Sequence, residues 1–284
     1  MTALPDIPRL YTALAECLAV LLFTPGLVAR FSRRATVAIT LVWAVVLSAF
    51  LGLTGNVPGP FWIPCMVAAI GLSYLYLWGT WSITLLEAGY HCARAFIVAE
   101  FAASIEWQFH CYLWPSRSPV HPLSLVLLGV VYGVVFGVLS GLQHKLPQPT
   151  EHLQISGSAA LTAVMLALTA FAVSNLGFLP GSEINMSIFS IRTLVDFSGV
   201  LILSVQHEQL QENALHSELA AMDEVLHRQY EQYKRSKEGI NLINRRYHEL
   251  KVQLARIREE QDQTKQNAAI AAMEQNIRQP GNIV

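Results

Sequence analysis

Residues 185–226 read NMSIFSIRTLVDFSGVLILSVQHEQLQENALHSELAAMDEVL. Up to Val205 the run is mostly apolar and about 20 residues long, enough to cross the hydrocarbon core of a bilayer. Beyond it the chain turns charged and takes up a seven-residue apolar period. A membrane span that feeds directly into heptads predicts an all-α protein: a polytopic membrane helix bundle followed by a long parallel coiled coil.

The distribution of charge carries the same division through the whole chain. Residues 1–205 hold 16 Asp, Glu, Lys or Arg side chains, whereas residues 206–284 hold 23, of which 12 are acidic and 11 basic. That is roughly 8% against roughly 29%, so the first part is built for lipid and the second for water. The reading divides the chain into a transmembrane domain (1–205), a coiled-coil helix (206–265) and the start of a second helix (266–284), which Pro280-Gly281 ends. A net charge of −1 over 284 residues gives no reason to expect nucleic acid as a partner.

Working back toward the N-terminus, seven stretches have spanning length: 10–29, 35–53, 61–79, 83–109, 122–142, 157–176 and 185–205. Their joints carry turn or breaker residues: Arg30 to Arg34, Gly55 to Pro60, Pro115 to Pro122, Gln143 to Ser156 and Gly177 to Glu183. The joint Gly79-Thr80-Trp81-Ser82 has the least punctuation, and the count falls to six if the chain does not break there. Arg30, Arg33, Arg34 and Lys145 fall on one side of this arrangement and Arg9 and Arg117 on the other. The excess of basic residues predicts an external N-terminus and a cytoplasmic C-terminus in the cell membrane. No cleavable signal peptide is expected, because Asp6 and Arg9 precede the first apolar run and no small-residue cleavage site closes it. Trp62, Trp107, Tyr112 and Trp114, near span ends, read as an interfacial belt. Cys17, Cys65, Cys92 and Cys111 stand singly in or beside apolar runs, so neither a disulfide framework nor a zinc site is expected.

In the tail, with Leu219 at position a, the a sites are Leu219, Leu226, Tyr233, Ile240, Tyr247 and Leu254. The d sites are Leu215, Met222, Gln229, Ser236, Ile243, Leu250 and Ile257. Eleven of these thirteen are apolar or aromatic with charged neighbours, a seam that a parallel homodimer buries most simply. Gln229 and Ser236, with Gly239 beyond them, weaken the seam locally. As one helix, 205–262 would reach about 85 Å.

Two groups of residues carry chemistry. Glu87, His91 and Arg94 lie at i, i+4 and i+7 in the fourth stretch, while Arg192 and Asp196 lie at i, i+4 in the last. Charges at membrane depth cost roughly 2.5–3.5 kcal/mol each, so they are expected to face the bundle and pair, either as a structural lock or as a ligand-responsive network. Glu16 and Glu100 are further candidates. The second group is His248 with Glu249. His248 occupies heptad position b, so its ring points to water beside the seam, and a neutral imidazole is a nucleophile at physiological pH. The Glu249 carboxylate next to it is placed to hold Nδ1–H and free Nε2 for attack on a phosphoryl group. His207, His216 and His227 share the tail without regular spacing.

The run Tyr247-His248-Glu249-Leu250-Lys251-Val252-Gln253-Leu254 resembles the phosphoacceptor box of sensor histidine kinases, in the branch of quorum-sensing peptide receptors and their GHKL-ATPase relatives. Residues 93–108, ARAFIVAEFAASIEWQ, resemble the membrane domains of the same kinases. The resemblance implies a two-component phosphotransferase with His248 as phosphoacceptor, a response regulator as partner, and an unidentified ligand of which a peptide is one candidate. It also implies ATP and Mg²⁺ on a catalytic domain whose nucleotide boxes do not occur before Val284; this chain is then inactive alone and holds no cofactor of its own. Val252 stands where the broader family often has Thr or Asn, so phosphatase activity by that route is not expected. The competing reading is a non-enzymatic membrane receptor or scaffold that dimerises through the same seam. A transporter would explain the intramembrane charges but has no use for the heptads.

Overall fold

The computed structural model describes residues 6–55, 57, 61–145, 155–175 and 186–277. Among them every regular element is a helix: α1 (Arg9–Leu22), α2 (Arg33–Leu53), α3 (Trp62–Thr80), α4 (Leu85–Leu113), α5 (Pro122–Lys145), α6 (Gly157–Asn175) and α7 (Met186–Ile277). The joints expected at Gly55 to Pro60, Gln143 to Ser156 and Gly177 to Glu183 lie largely outside the described residues.

Five helices are long and apolar enough to cross a membrane: α2, α3, α5, α6 and the apolar first part of α7. That combination marks a membrane protein. The other two expected crossings differ. α1 has 14 residues, about 21 Å of helix, against a core of about 30 Å. The apolar run to residue 29 overestimated it, because Pro25 and Gly26 stop the helix and Gly26 takes the left-handed φ of 92° open to glycine. α4 is long, at 29 residues, but carries Glu87, Arg94, Glu100 and Glu106. The lightly punctuated joint does break the chain: α3 ends at Thr80, and Trp81 forms an antiparallel bridge with Ala29 before α4 begins.

By its contacts the chain divides into two compact units, Met1–His216 and Ser217–Val284. The boundary falls past the charge boundary at 205 because the next turns of α7 still touch the bundle. Gln206 Nε2 donates to the Ala159 carbonyl at 3.1 Å, Tyr90 Oη and His207 Nδ1 are 3.3 Å apart, and Leu210 packs on the core.

In the first unit α4 is the central helix. Its buried residues include every position from 92 to 100, so they lie on all sides, as expected of a helix surrounded by others. Small residues permit the close packing. α6 offers Ala160, Ala163, Ala167, Ala170 and Ser174 at helical spacing, and α1 buries Ala15 and Ala19. Gly199 of α7 sits so near α4 that a Cβ there would stand 3.1 Å from Ile97 Cγ2. Contacts between α4 and α7 pair Gln108 with Ser190, Ser104 with Asp196, Phe101 with Phe197, and Tyr90 with His207. One number falls as the other rises, so the two helices run antiparallel. The outer faces are apolar, as with Val126, Val130, Val134 and Val138 on α5.

The second unit is the remainder of α7. Gly239 does not interrupt it, and residues 266–277 continue the same helix instead of starting a second one. The stretch around Ala268 to Met273 is rich in strong helix formers with no Gly or Pro. Its expected a and d residues, such as Leu226, Ile243, Leu250 and Ile257, are exposed in the single chain. Spaced ion pairs line the helix, Arg228 with Glu224 and Arg235 with Glu231 among them; each contributes about 0.3–0.5 kcal/mol.

Candidate functional site

The buried charges gather where α4 meets α7. Arg192, 8% exposed, donates from Nη2 to Glu100 Oε2 at 2.7 Å, and Glu100 is 2% exposed. Asp6, half exposed, has Oδ1 4.0 Å from Nη1 of the same guanidinium. Asp196 is fully buried and accepts a hydrogen bond from Ser104 Oγ at 2.8 Å. Arg192 and Asp196 therefore both face the bundle, as their spacing predicts, but each takes its closest partner from α4. The i, i+4 pair Arg192/Asp196 meets the i, i+4 pair Glu100/Ser104. A side chain as long as Arg reaches across to a neighbouring helix more readily than back along its own.

Glu87, His91 and Arg94 do not form one cluster, which corrects the expectation from their spacing. Glu87 serves the helix start: Thr84 N–H donates to Glu87 Oε2 at 2.8 Å and Glu87 N–H donates to Thr84 Oγ1 at 3.3 Å, a capping box. The signal was present in Thr84-Leu85-Leu86-Glu87, the Thr-x-x-Glu pattern ahead of an apolar run. His91 Nδ1 is buried without a hydrogen-bond partner, and the ring meets Tyr90 edge-on at 5.8 Å. Arg94 lies over the Phe23 ring at 4.3 Å and near Tyr90 at 5.6 Å, so aromatic faces stabilise its charge.

Ser104 joins the network and Glu106 is a further buried charge; spacing singled out neither. Ser104 reads as an ordinary span serine until Asp196 is placed against it. Glu106 is fully buried, and neither of its carboxylate oxygens has a hydrogen-bond partner. His110, one turn further, stacks on Trp107 at 4.6 Å. The signal for Glu106 was simply its presence inside an apolar run. Glu16 is also buried, with Oε1 unpartnered beside a small cavity lined by Ser73 and Cys92. Among the described residues no group of His, Cys, Asp or Glu is arranged to hold a metal ion, and the four cysteines are free.

On the tail, His248 is exposed. Glu249 is turned away from it: its carboxylate oxygens lie 3.6 Å from Arg245 Nε and 3.8 Å from Arg246 Nη1. Neighbouring helix residues point about 100° apart, so three- and four-residue partners win over the adjacent ring. His216 lies 3.8 Å from Glu212 and His227 3.6 Å from Glu231, both on exposed faces.

Compared with family models, curated proteins and solved structures, the chain matches none.

Proposed function

We propose that this chain is the membrane-sensing and dimerisation part of a two-component sensor histidine kinase. A ligand bound at the membrane bundle shifts α7, and the coiled-coil tail passes that shift to His248, whose Nε2 attacks the γ-phosphoryl group of ATP and releases ADP. The phosphoryl group then moves to a response regulator. ATP and Mg²⁺ belong to a GHKL domain outside these 284 residues. The observation that carries the reading is the continuity of α7, which holds Arg192 and Asp196 within the bundle and an exposed His248 further along the same helix. Mixed with ATP, Mg²⁺ and a supplied GHKL ATPase domain, the full chain takes up phosphate; no uptake under those conditions sinks the kinase reading.

The proposal includes seven crossings, with α4 surrounded by the other helices, an external N-terminus and a cytoplasmic tail. The antiparallel run of α4 and α7 agrees with an odd number of steps between them. A membrane-impermeant thiol reagent applied from outside is expected to label a cysteine placed at Ser118 and to spare one at Ser32; the reverse pattern overturns the topology.

The exposed seam calls for a second copy. Ile243→Asp, which would bury a carboxylate at a d site, is expected to abolish tail-dependent dimerisation, while Glu238→Ala on the polar face leaves it unchanged. Crosslinking of full chains in membranes reads the difference. Equal crosslinking of both variants would favour a monomeric tail.

A further inference from the structure

The geometry points to a binding site for one anionic phospholipid in the groove between α2 and α3, with its acyl chain against the helices and its headgroup at the basic turn before α2. The groove holds about 490 Å³, comparable with one fatty-acyl chain. Phe31, Ile39, Trp43, Val46, Leu72 and Tyr76 are among its walls, nearly all of them apolar. Its floor is firmly built: Trp43 and Tyr76 stack with centroids 4.3 Å apart at 14°, and Thr40 Oγ1 lies 2.8 Å from Tyr76 Oη.

Depth and charge select the occupant. From Arg33 to Val46 the helix rises about 20 Å, and the groove closes near the middle of both helices, at Val46 on α2 and Leu72 on α3. One leaflet of hydrocarbon is about 15 Å deep. With Arg33 in the headgroup layer, about 5 Å above the hydrocarbon, the groove ends near the midplane, as a single leaflet's acyl chain does. At the surface end the turn is held in place. Arg30 N–H donates to the Thr80 carbonyl at 3.0 Å, Ser82 N–H to the Val28 carbonyl at 2.8 Å, and Arg30 Nε to the Trp81 carbonyl at 2.7 Å.

Arg33 and Arg34 sit exposed in the first turn of α2, which contains no acidic residue, and neither makes an ion pair among the described residues. Two cations at the positive end of a helix dipole are mutually unfavourable, and a phosphate there relieves both. Glu87, in the first turn of α4, is engaged with the Thr84 N–H. The site depends on α2 and α3 lying in a membrane and is independent of the kinase reading.

Native mass spectrometry of the detergent-solubilised full chain tests this, using phosphatidylglycerol and phosphatidylcholine with the same acyl chains. Both headgroups carry a phosphate, but the choline cation cancels that charge, so two arginines are expected to favour phosphatidylglycerol by roughly thirtyfold. Arg33→Gln combined with Arg34→Gln brings the two lipids to near parity. Gly79 lines the groove, and a Cβ there meets nothing within 4 Å, so Gly79→Leu occupies the acyl-chain space and weakens retention about tenfold. Gly129→Leu on α5, equally open, keeps wild-type retention and controls for the added bulk. Should Gly79→Leu fail to fold, Ala38→Leu fills the opposite wall. Equal retention of both lipids by the wild-type chain overturns the proposal. So does selective retention undisturbed by either groove-filling variant, which would place the lipid on the arginines alone.

Discussion

His248→Gln is expected to reduce phosphate uptake by the full chain to background when ATP, Mg²⁺ and a GHKL ATPase domain are supplied. If the kinase reading holds, the label on the wild-type chain is acid-labile and base-stable, as a phosphoramidate is. The effect is total because an amide side chain has no nucleophilic nitrogen to replace Nε2. His216→Gln and His227→Gln leave uptake intact, since those rings lie beside Glu212 and Glu231 on solvated faces without the Tyr247-His248-Glu249-Leu250 setting. Glu249→Gln is the finer test. A working general base is worth about 10²–10⁴-fold, but the Glu249 carboxylate lies with Arg245 and Arg246. Its loss is therefore expected to slow transfer by less than about tenfold, well short of the general-base range. If His248→Gln takes up phosphate at the wild-type rate, the receptor or scaffold reading becomes the better one.

How far the fold was legible depended on what bounded each helix. The expected bounds of α2 fall within two residues of its observed ends because turn residues bracket its apolar run. α1 was drawn seven residues too long at its C-terminal end, since Phe23, Leu27 and Val28 kept the run apolar past the breakers Pro25 and Gly26. Spacing along one helix also assigns a face without assigning a neighbour. It placed Arg192 and Asp196 toward the interior, yet their partners Glu100 and Ser104 lie 92 residues away on α4. The same spacing grouped Glu87 with Arg94, although Glu87 was already committed to its own helix start. α4 was recognisable as a long helix but not as the centre of the bundle, because its charges lower its hydropathy while its neighbours bury it. Heptads identified an apolar stripe on the tail, which is exposed in the single chain.

The second large effect is expected at Arg192. Arg192→Ala leaves Glu100 buried without its cation, a change that typically costs about 3–5 kcal/mol. Lower abundance and a lower Tm in detergent are the expected readouts, together with signalling fixed in one state if the chain is a kinase. Ser104→Ala removes one hydrogen bond from Asp196 and is expected to cost nearer 1–3 kcal/mol, the range for stranding a buried acceptor. Charge exchange then distinguishes the two carboxylates. Arg192→Glu with Glu100→Arg restores an ion pair across α4 and α7 and recovers most of the lost Tm. Arg192→Asp with Asp196→Arg keeps opposite charges within α7 but sets a carboxylate toward Glu100, so it recovers little. Equal recovery by both exchanges would make the contact along α7 as important as the one across to α4. A wild-type Tm for Arg192→Ala would show that the buried pair contributes nothing to holding the bundle. The expected order, with the Glu100 exchange well above the Asp196 exchange, makes the contact across α4 and α7 the one that Arg192 contributes to the bundle.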